Sequence, residues 1–429
     1  MSFLSNLGRI PVTTGREPDR LRGDRVEAVG VQGRRLFIAL KIWRYSPQPW
    51  LERFYWHTFK PVFAAALILW YTPRYAMIVR RCFGISVFEQ IVQQCRLGFR
   101  DWVNPRCYYF HEHYRKTGPV DCDGYVMRHE CKEGLIKVLH KLRPTIHGKR
   151  INLGHKLRFA QACIRFGLPA VPVIGIASRG RMKILDRAAL QGDLFMKPEV
   201  GRGAVGARAI RRRADGSFEY GGRTVTLATL LSRVTLRSRI APQILQPMLQ
   251  NHPGLADLAD RSLITIRIIT CIGLADQPVV THAMLRTLSK LEPNWPTGEE
   301  YAAPIDLTSG RMGMMCGDSM IGPLDWFEFH PITRRPVTGR VVPQWAAIRA
   351  LAVAAHHAFA DRMIVGWDIA LTPEGPILIE GNSYPDTEFL QRVHRQPIAA
   401  SPLGPLLDFH FSRLVEIGGE VRSVPSAVP

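Results

Sequence analysis

The chain has 429 residues, 46% apolar and 22% charged, a balance that suits two to three domains' worth of core and argues against disorder. Its 57 Lys and Arg against 36 Asp and Glu leave a formal charge of +21, which favours anionic partners; with no aromatic-rich RNA-binding signature and no Cys/His finger spacing, nucleic acid is disfavoured. The eight cysteines are scattered without CxxC pairs in a chain too large to need stapling, which points to a reducing cytoplasm.

Residues 1 to about 58 read as Arg-rich and irregular, and residues 1–80 together as a basic, apolar-aromatic extension. Within it, Pro61 to Tyr71 is an apolar run of eleven bracketed by Lys60, Pro73 and Arg74. That is short of the ~20 apolar residues a bilayer-crossing helix needs. With Trp43, Trp50, Trp56, Trp70 and several arginines nearby, the run suits either peripheral contact with the inner face of an anionic membrane or a buried helix. Residues 81–145 read as a helical lead-in, with Phe88, Ile91, Val92 and Cys95 at three-to-four spacing. Pro144 and the Gly148-Lys149-Arg150 turn end it.

The next unit is expected over 146–412. A helix from Lys156 to Phe166 stops at Gly167. A strand from Leu194 to Met196 delivers Lys197, and Gly201 to Gly206 leads into a second strand, Ala207 to Arg211. A glycine-rich connector between two strands is not a Rossmann turn, which would open a helix. Ala241 to Met248 reads as a short strand. Leu263 to Thr270 alternates with Thr265 and Arg267 on one face, and Val279 to Leu288, carrying Arg286, is its expected partner. A Pro/Gly/Asn-rich loop spans 292–298, a short strand Ala302 to Asp306, and an apolar helix Trp345 to Ala360. His356 and His357 sit on that helix, but adjacent residues share no face, so no metal site is expected there. Residues 413–429 read as a Ser/Pro/Val-rich flexible tail.

The most informative stretch is a hairpin, Gly366 to Leu371 and Ile377 to Asn382. Pro373-Glu374-Gly375 suits a three-residue loop whose last position glycine fills without steric cost. Leu371 then pairs with Ile377, and counting back puts Asp368 across from Glu380 on one face, with Asn382 two residues on. Two carboxylates so placed repel unless a cation lies between them. Mg²⁺ fits, because it prefers one or two carboxylates plus substrate phosphates to a full protein cage.

In chain order the marks are Lys156, Lys197, a glycine-rich loop, the strand Gln243 to Met248, Arg267, Arg286, Asp368, Glu380 and Asn382. Backbone amides for phosphates, lysines as point charges, arginines for a transferring phosphoryl group and carboxylates for metal are the parts phosphoryl transfer needs. The order resembles that of the ATP-grasp superfamily, in particular its α-L-glutamate-ligase-related, sugar-transfer-associated branch. The stretches that carry the likeness are Lys156-Leu157-Arg158-Phe159, Phe195-Met196-Lys197-Pro198, Leu245-Gln246-Pro247, Thr265-Ile266-Arg267, Gly366-Trp367-Asp368 and Ile379-Glu380-Gly381-Asn382.

The resemblance implies an α+β fold in which two α+β subdomains sandwich ATP, preceded by a helical N-terminal region. It implies that Lys156 and Lys197 contact the phosphates, that Gly201, Gly203 and Gly206 cover them, and that backbone groups of Gln246, Pro247 and Met248 hold adenine. Asp368, Glu380 and Asn382 would carry Mg²⁺. Arg267 would steady the transferring phosphoryl group, with Arg286 in support. The implied reaction activates a small-molecule carboxylate as an acyl phosphate for an amine or sugar-linked nucleophile, in the company of polysaccharide biosynthesis. A kinase on the same fold and a non-catalytic nucleotide-binding scaffold at a membrane surface are the alternatives. Two departures stand out: Gln243 and Gln246 where many relatives have an acid, and Arg202 and Ala204 in a loop that is usually richer in glycine.

Overall fold

The computed structural model describes residues 50–100, 105–115, 124–127, 136–145, 150–201, 205–259, 262–288, 300–318 and 325–417. Residues 1–49, the loop over 292–298, Gly203 and residues 418–429 lie outside them, while residues 413–417, expected to begin the flexible tail, instead continue a helix that runs Leu403–Ile417.

The first described element corrects the sequence reading. Helix α1 (Trp50–Phe83) runs for 34 residues through both Pro61 and Pro73, and its Pro61–Phe83 segment is long and apolar enough to cross a membrane. Pro73 and Arg74 do not stop it. Pro73 faces outward, and Arg74 folds back so that its guanidinium lies 3.6 Å from the centre of the Trp70 ring and bonds the Trp70 carbonyl. Ser86 caps helix α2 (Val87–Cys95) by accepting from the Glu89 amide at 3.1 Å. Helix α3 (Arg106–Phe110) follows, and Tyr108, Tyr109 and Phe110 bury almost completely with Leu97, Tyr114 and Val79 of α1.

Two seven-stranded sheets follow among the described residues. The smaller contains β1 (Gly175–Ser178), β2 (Arg181–Ile184), β3 (Leu194–Pro198), β4 (Arg208–Arg212), β5 (Phe218–Tyr220), β6 (Arg223–Val225) and β7 (Gln243–Pro247), in the order β2-β1-β7-β3-β4-β5-β6. Helix α4 (Lys156–Arg165) precedes it, and helix α5 (Leu227–Arg237), capped by Thr226, covers one face with Leu230 and Val234. β3 and β4 pair antiparallel around the glycine-rich connector, as the alternation suggests.

The larger sheet contains β8 (Thr265–Ile272), β9 (Pro278–Leu288), β10 (Glu300–Pro304), β11 (Met315–Gly317), β12 (Trp326–Phe327), β13 (Ile364–Thr372) and β14 (Gly375–Asn382), in the order β12-β11-β10-β9-β8-β13-β14. Helix α6 (Trp345–Ala358) packs on one face against Ile266, Ile268, Trp367 and Ile369. Helices α7 (Thr387–His394) and α8 (Leu403–Ile417) pack on the other against Ile269, Cys271, Met284 and Ile364. Because side chains alternate, that second face continues from Ile269 to Arg267, from Met284 to Arg286, from Ala302 to Glu300 and from Ile364 to Asp368. The same face is apolar beneath α7 and α8 and charged beyond them.

The hairpin's loop differs from expectation. Thr372 pairs with Gly375, so the loop is the two residues Pro373 and Glu374, and Leu371 faces Pro376 rather than Ile377. A bulge at Ile379 then absorbs one residue: Ile369 pairs with Leu378 and Asp368 with Glu380. The expected opposition of the two acids holds, reached through a tighter turn and a compensating bulge.

Candidate active site

The two sheets face each other across an open cleft of about 650 Å³. β3 of the smaller sheet contributes Phe195 and Lys197 to it, and β8, β9, β13 and β14 of the larger contribute Arg267, Arg286, Asp368 and Glu380. Lys156, Gly201 and Asn382 complete the group of expected residues that line it.

On the side of the smaller sheet, His155 caps α4, its ring nitrogen accepting from the Arg158 amide at 3.5 Å. The Lys156 amide bonds the Glu199 carbonyl at 2.9 Å, and Lys156 Nζ donates to the Gly201 carbonyl at 2.9 Å. The first turn of the helix is thereby stitched to the start of the glycine-rich loop. Helix N-termini carry partial positive charge, so a cationic side chain and a helix end converge there. Gly206 has φ of +78°, and a Cβ on it would meet Pro198 at 2.9 Å, so glycine is required at that position. Lys197 is 7% exposed. Burial pushes its ammonium down to about 8, helped by the Lys156 charge and opposed by Glu380. Burial also lowers Lys156, again against Glu380.

Register sets the opposite wall. Arg267 is the cross-strand partner of Asp368 on one side and Glu380 its partner on the other. Arg267 grips Asp368 with two bonds, Nε to Oδ1 and Nη2 to Oδ2, the latter at 2.8 Å. Arg286 Nη1 reaches the same Oδ1 at 3.4 Å, while its Nε bonds Glu300 at 2.5 Å. Burial would raise Asp368, but the two guanidiniums prevail and hold it below the ordinary range. Glu380 goes the other way, raised by burial and by the neighbouring Asp368 charge despite the two lysines. Asn382 is half-buried, with Oδ1 accepting from the Tyr384 amide at 3.0 Å, which fixes its amide.

This donor set suits a hard divalent cation. Asp368, Glu380 and Asn382 line one polar wall of the cleft, and the strain on Glu380's charge is one that an added cation would relieve. Arg267 and Arg286 stand beside those acids and are held by them, so their orientation is fixed by ion pairs.

Three expected adenine contacts are not brought to the cleft wall. Gln246 donates Nε2 to the Val171 carbonyl at 3.0 Å, Pro247 pairs with Leu194, and the Met248 amide bonds the Asp193 carbonyl at 2.9 Å. They form the middle of the smaller sheet and its exit. Sequence reasoning missed the far end of the cleft, where Arg106 and Phe110 of α3 meet Asp386 and Glu388 at the start of α7. Arg106 Nη1 bonds Glu388 Oε2 at 3.3 Å, and Asp386 caps α7 by accepting from the Glu388 amide at 3.0 Å. The Asp386-Thr387-Glu388 cap was the one signal in the sequence that could have located this element.

The profile of the sugar-transfer associated ATP-grasp family matches residues 145–400. No curated protein matches the chain. Among solved structures, the ATP-grasp ligase PsnB complexed with minimal precursor, Mg and ADP is 15% identical, with 60% of this chain and 58% of that one covered and a TM-score of 0.32. The D-alanine–D-alanine ligase from Bacillus anthracis complexed with ATP is 10% identical, with 68% and 79% covered and a TM-score of 0.38. An L-amino acid ligase from Bacillus licheniformis is 12% identical, with 64% and 52% covered and a TM-score of 0.36. The chain thus spans 58% of the first of these.

Proposed function

The chain belongs to the sugar-transfer associated ATP-grasp family, and on that premise we propose that it is an ATP-dependent, Mg²⁺-assisted ligase that joins a small-molecule carboxylate to an amine or sugar-linked nucleophile. The observation that supports this reading best is the register pairing of Asp368 with Glu380 on one wall of a cleft whose other wall holds Lys156 and Lys197.

In this reading the triphosphate lies between the walls. Lys156 and Lys197 neutralise its phosphates as point charges, the backbone at Gly201 approaches them, and the apolar surface of Phe195 and Ile379 contacts the base, in place of the adenine contacts expected at Gln246, Pro247 and Met248. Asp368, Glu380 and Asn382 would hold Mg²⁺, which supplies charge neutralisation at the β and γ oxygens. A carboxylate oxygen of the acid attacks the γ-phosphorus and ADP leaves. The nucleophile then attacks the acyl carbon, loses its proton, and phosphate departs. Arg267, held rigid by Asp368, and Arg286, held by Glu300, face charge that grows on the transferring group. No protein nucleophile takes part. The far end, with Arg106 and Glu388, is where the acid and its acceptor would sit. The setting is a reducing cytoplasm, the reading that eight scattered cysteines without CxxC pairs suggest.

The test is an ADP-release screen of the purified protein with Mg²⁺ against pools of amino acids and sugar acids, with phosphate and product mass measured together. The ligase reading requires ADP and phosphate in equal amounts and a product lighter than its two substrates by one water. ADP with a stable phosphorylated product and no free phosphate identifies a kinase instead. Nucleotide binding without turnover in any pool favours the scaffold.

A further inference from the structure

Helix α1 presents two unlike faces. Ala64, Ile68, Thr72, Ala76 and Val79 are buried, and at about 100° per residue they cluster on one side. The opposite side carries Phe59, Phe63, Trp70, Arg74, Met77 and Arg81, all exposed. Phe63 is 53% exposed, Leu69 75% and Trp70 57%, and only 28% of the most apolar 18 residues within Pro61–Phe83 is buried. Large apolar side chains in a continuous stripe of this kind mark an interaction surface.

We infer that this stripe docks the protein on the surface of a bilayer containing anionic phospholipid, with the helix lying in the interface rather than crossing it. Charge selects the occupant. Arg74, Arg80 and Arg81 are exposed on the helix, so the stripe is apolar along its length and basic at its C-terminal end. Residues 1–49 carry nine basic against four acidic residues, which makes that segment a poor electrostatic match for the stripe. A second copy packed parallel to the first would bring the same basic residues together, and one packed antiparallel would leave Arg80 and Arg81 beside the apolar Phe59 and Phe63 with no acidic partner on the stripe. An anionic headgroup layer above hydrocarbon complements both features, with aromatic rings suited to the boundary.

Packing argues for lying flat. Along the buried side, Gln90 of α2 donates Nε2 to the Ala76 carbonyl at 3.0 Å and Gln94 donates Nε2 to Thr72 Oγ1 at 3.0 Å. Gly98 sits so close that a Cβ on it would stand 3.3 Å from Ala64. A crossing helix would drag the exposed Glu89 and Arg96, which belong to this packed layer, into the hydrocarbon at a cost of several kcal/mol. Val79 of α1 shares a buried cluster with Tyr109 and Phe110, and Phe110 lines the far end of the cleft. The docking helix and that end of the cleft therefore share one packed unit. The inference stands independently of the ligase reading.

The test is flotation of the purified full chain with vesicles of phosphatidylcholine alone and with roughly 30% phosphatidylglycerol. The full chain should float with the anionic vesicles, release in high salt, and stay largely unbound with neutral ones. Phe63→Ser combined with Trp70→Ser should lower the floated fraction by about tenfold with an unchanged circular dichroism spectrum, since both side chains are exposed. Arg80→Glu with Arg81→Glu should remove the preference for anionic lipid. Four results overturn the inference: no flotation, equal flotation with neutral vesicles, residence that resists alkaline carbonate, or a dimer in solution that the Phe63 and Trp70 changes dissolve. Binding that appears only after removal of residues 1–49 would assign the stripe to that segment instead.

Discussion

Glu380 faces Asp368 across the terminal hairpin, and the Asp368 charge, after burial itself, is what raises Glu380's proton affinity. Replacing Glu380 by Gln keeps the shape and removes that repulsion. Glu380→Gln should therefore lower ATP turnover by ~10²-fold or more, as expected for loss of a metal-holding group at a phosphoryl-transfer site. Its melting temperature should stay level or rise. ADP release and thermal unfolding on the same preparation check both, and normal turnover would remove Glu380 from the site.

Arg267 and Asp368 are a buried pair, with side chains each 8% exposed. Truncating one partner strands a charge in a site that water barely reaches, a change that typically costs about 3–5 kcal/mol. Arg267→Ala should destabilise by that order, and adding Asp368→Ala should recover part of the loss. A double-mutant cycle in urea measures the coupling. Additive effects would mean that Arg286 alone suffices to hold Asp368.

Gly381 stands between Glu380 and Asn382 for a steric reason. A Cβ there would lie 2.9 Å from Leu153 Cδ1 and 2.9 Å from the Trp367 ring. Gly381→Ala should cost about 1–3 kcal/mol by overpacking and reduce turnover although Glu380 and Asn382 are untouched. Comparing kcat with unfolding midpoints for Gly381→Ala and the more open Gly167→Ala, where a Cβ meets nothing within 4 Å, separates crowding at the site from general strain.

Several of these features were readable in the sequence and others were not, for identifiable reasons. Strands β8, β9, β13 and β14 were legible because buried strands keep their apolar alternation, and Lys197 because it ends an apolar run. The opposition of Asp368 and Glu380 came out right although the loop did not, since a two-residue turn and the Ile379 bulge offset each other and a bulge has no compositional mark. Helix α1 was cut short at Pro73, where a lost amide donor usually ends a helix; the Arg74 contact with Trp70 that accompanies its continuation is visible only in three dimensions. The Arg106 to Glu388 bond joins residues 282 apart in the chain, and no local pattern announces it.

A buried network makes the fold acid-sensitive. Thr270 Oγ1 lies 2.7 Å from His356 Nδ1 and accepts from Trp367 Nε1 at 2.8 Å, while His356 Nε2 lies 3.0 Å from the Arg362 carbonyl. Both ring nitrogens are engaged as a neutral imidazole. Burial drives His356 from 6.5 to about 4, and His140 likewise to about 4. A histidine whose folded value lies below its unfolded one binds more protons when unfolded. Stability is therefore intact above about pH 6.5 and is lost as pH falls towards 4, by up to about 3 kcal/mol for each such group. Urea midpoints at pH 7.5 and 5.0 should differ accordingly, and His356→Gln should shrink the difference; an unchanged difference would place the sensitivity elsewhere.

Lys197 supplies the corresponding test at the nucleotide site. With its ammonium pushed down to about 8 by burial, the free protein carries that charge below pH 8 and loses it above. On the proposed reading a triphosphate binds the charged form, so its Kd should hold steady up to about pH 8 and then climb, approaching tenfold per pH unit. Binding at pH 8.5 should also take up protons, because the bound anion restores the charge. Calorimetry in two buffers of different ionisation enthalpy reads that uptake directly. Lys197→Ala should bind weakly at every pH and take up none, and if it keeps the wild-type pH profile, the titrating group is not Lys197.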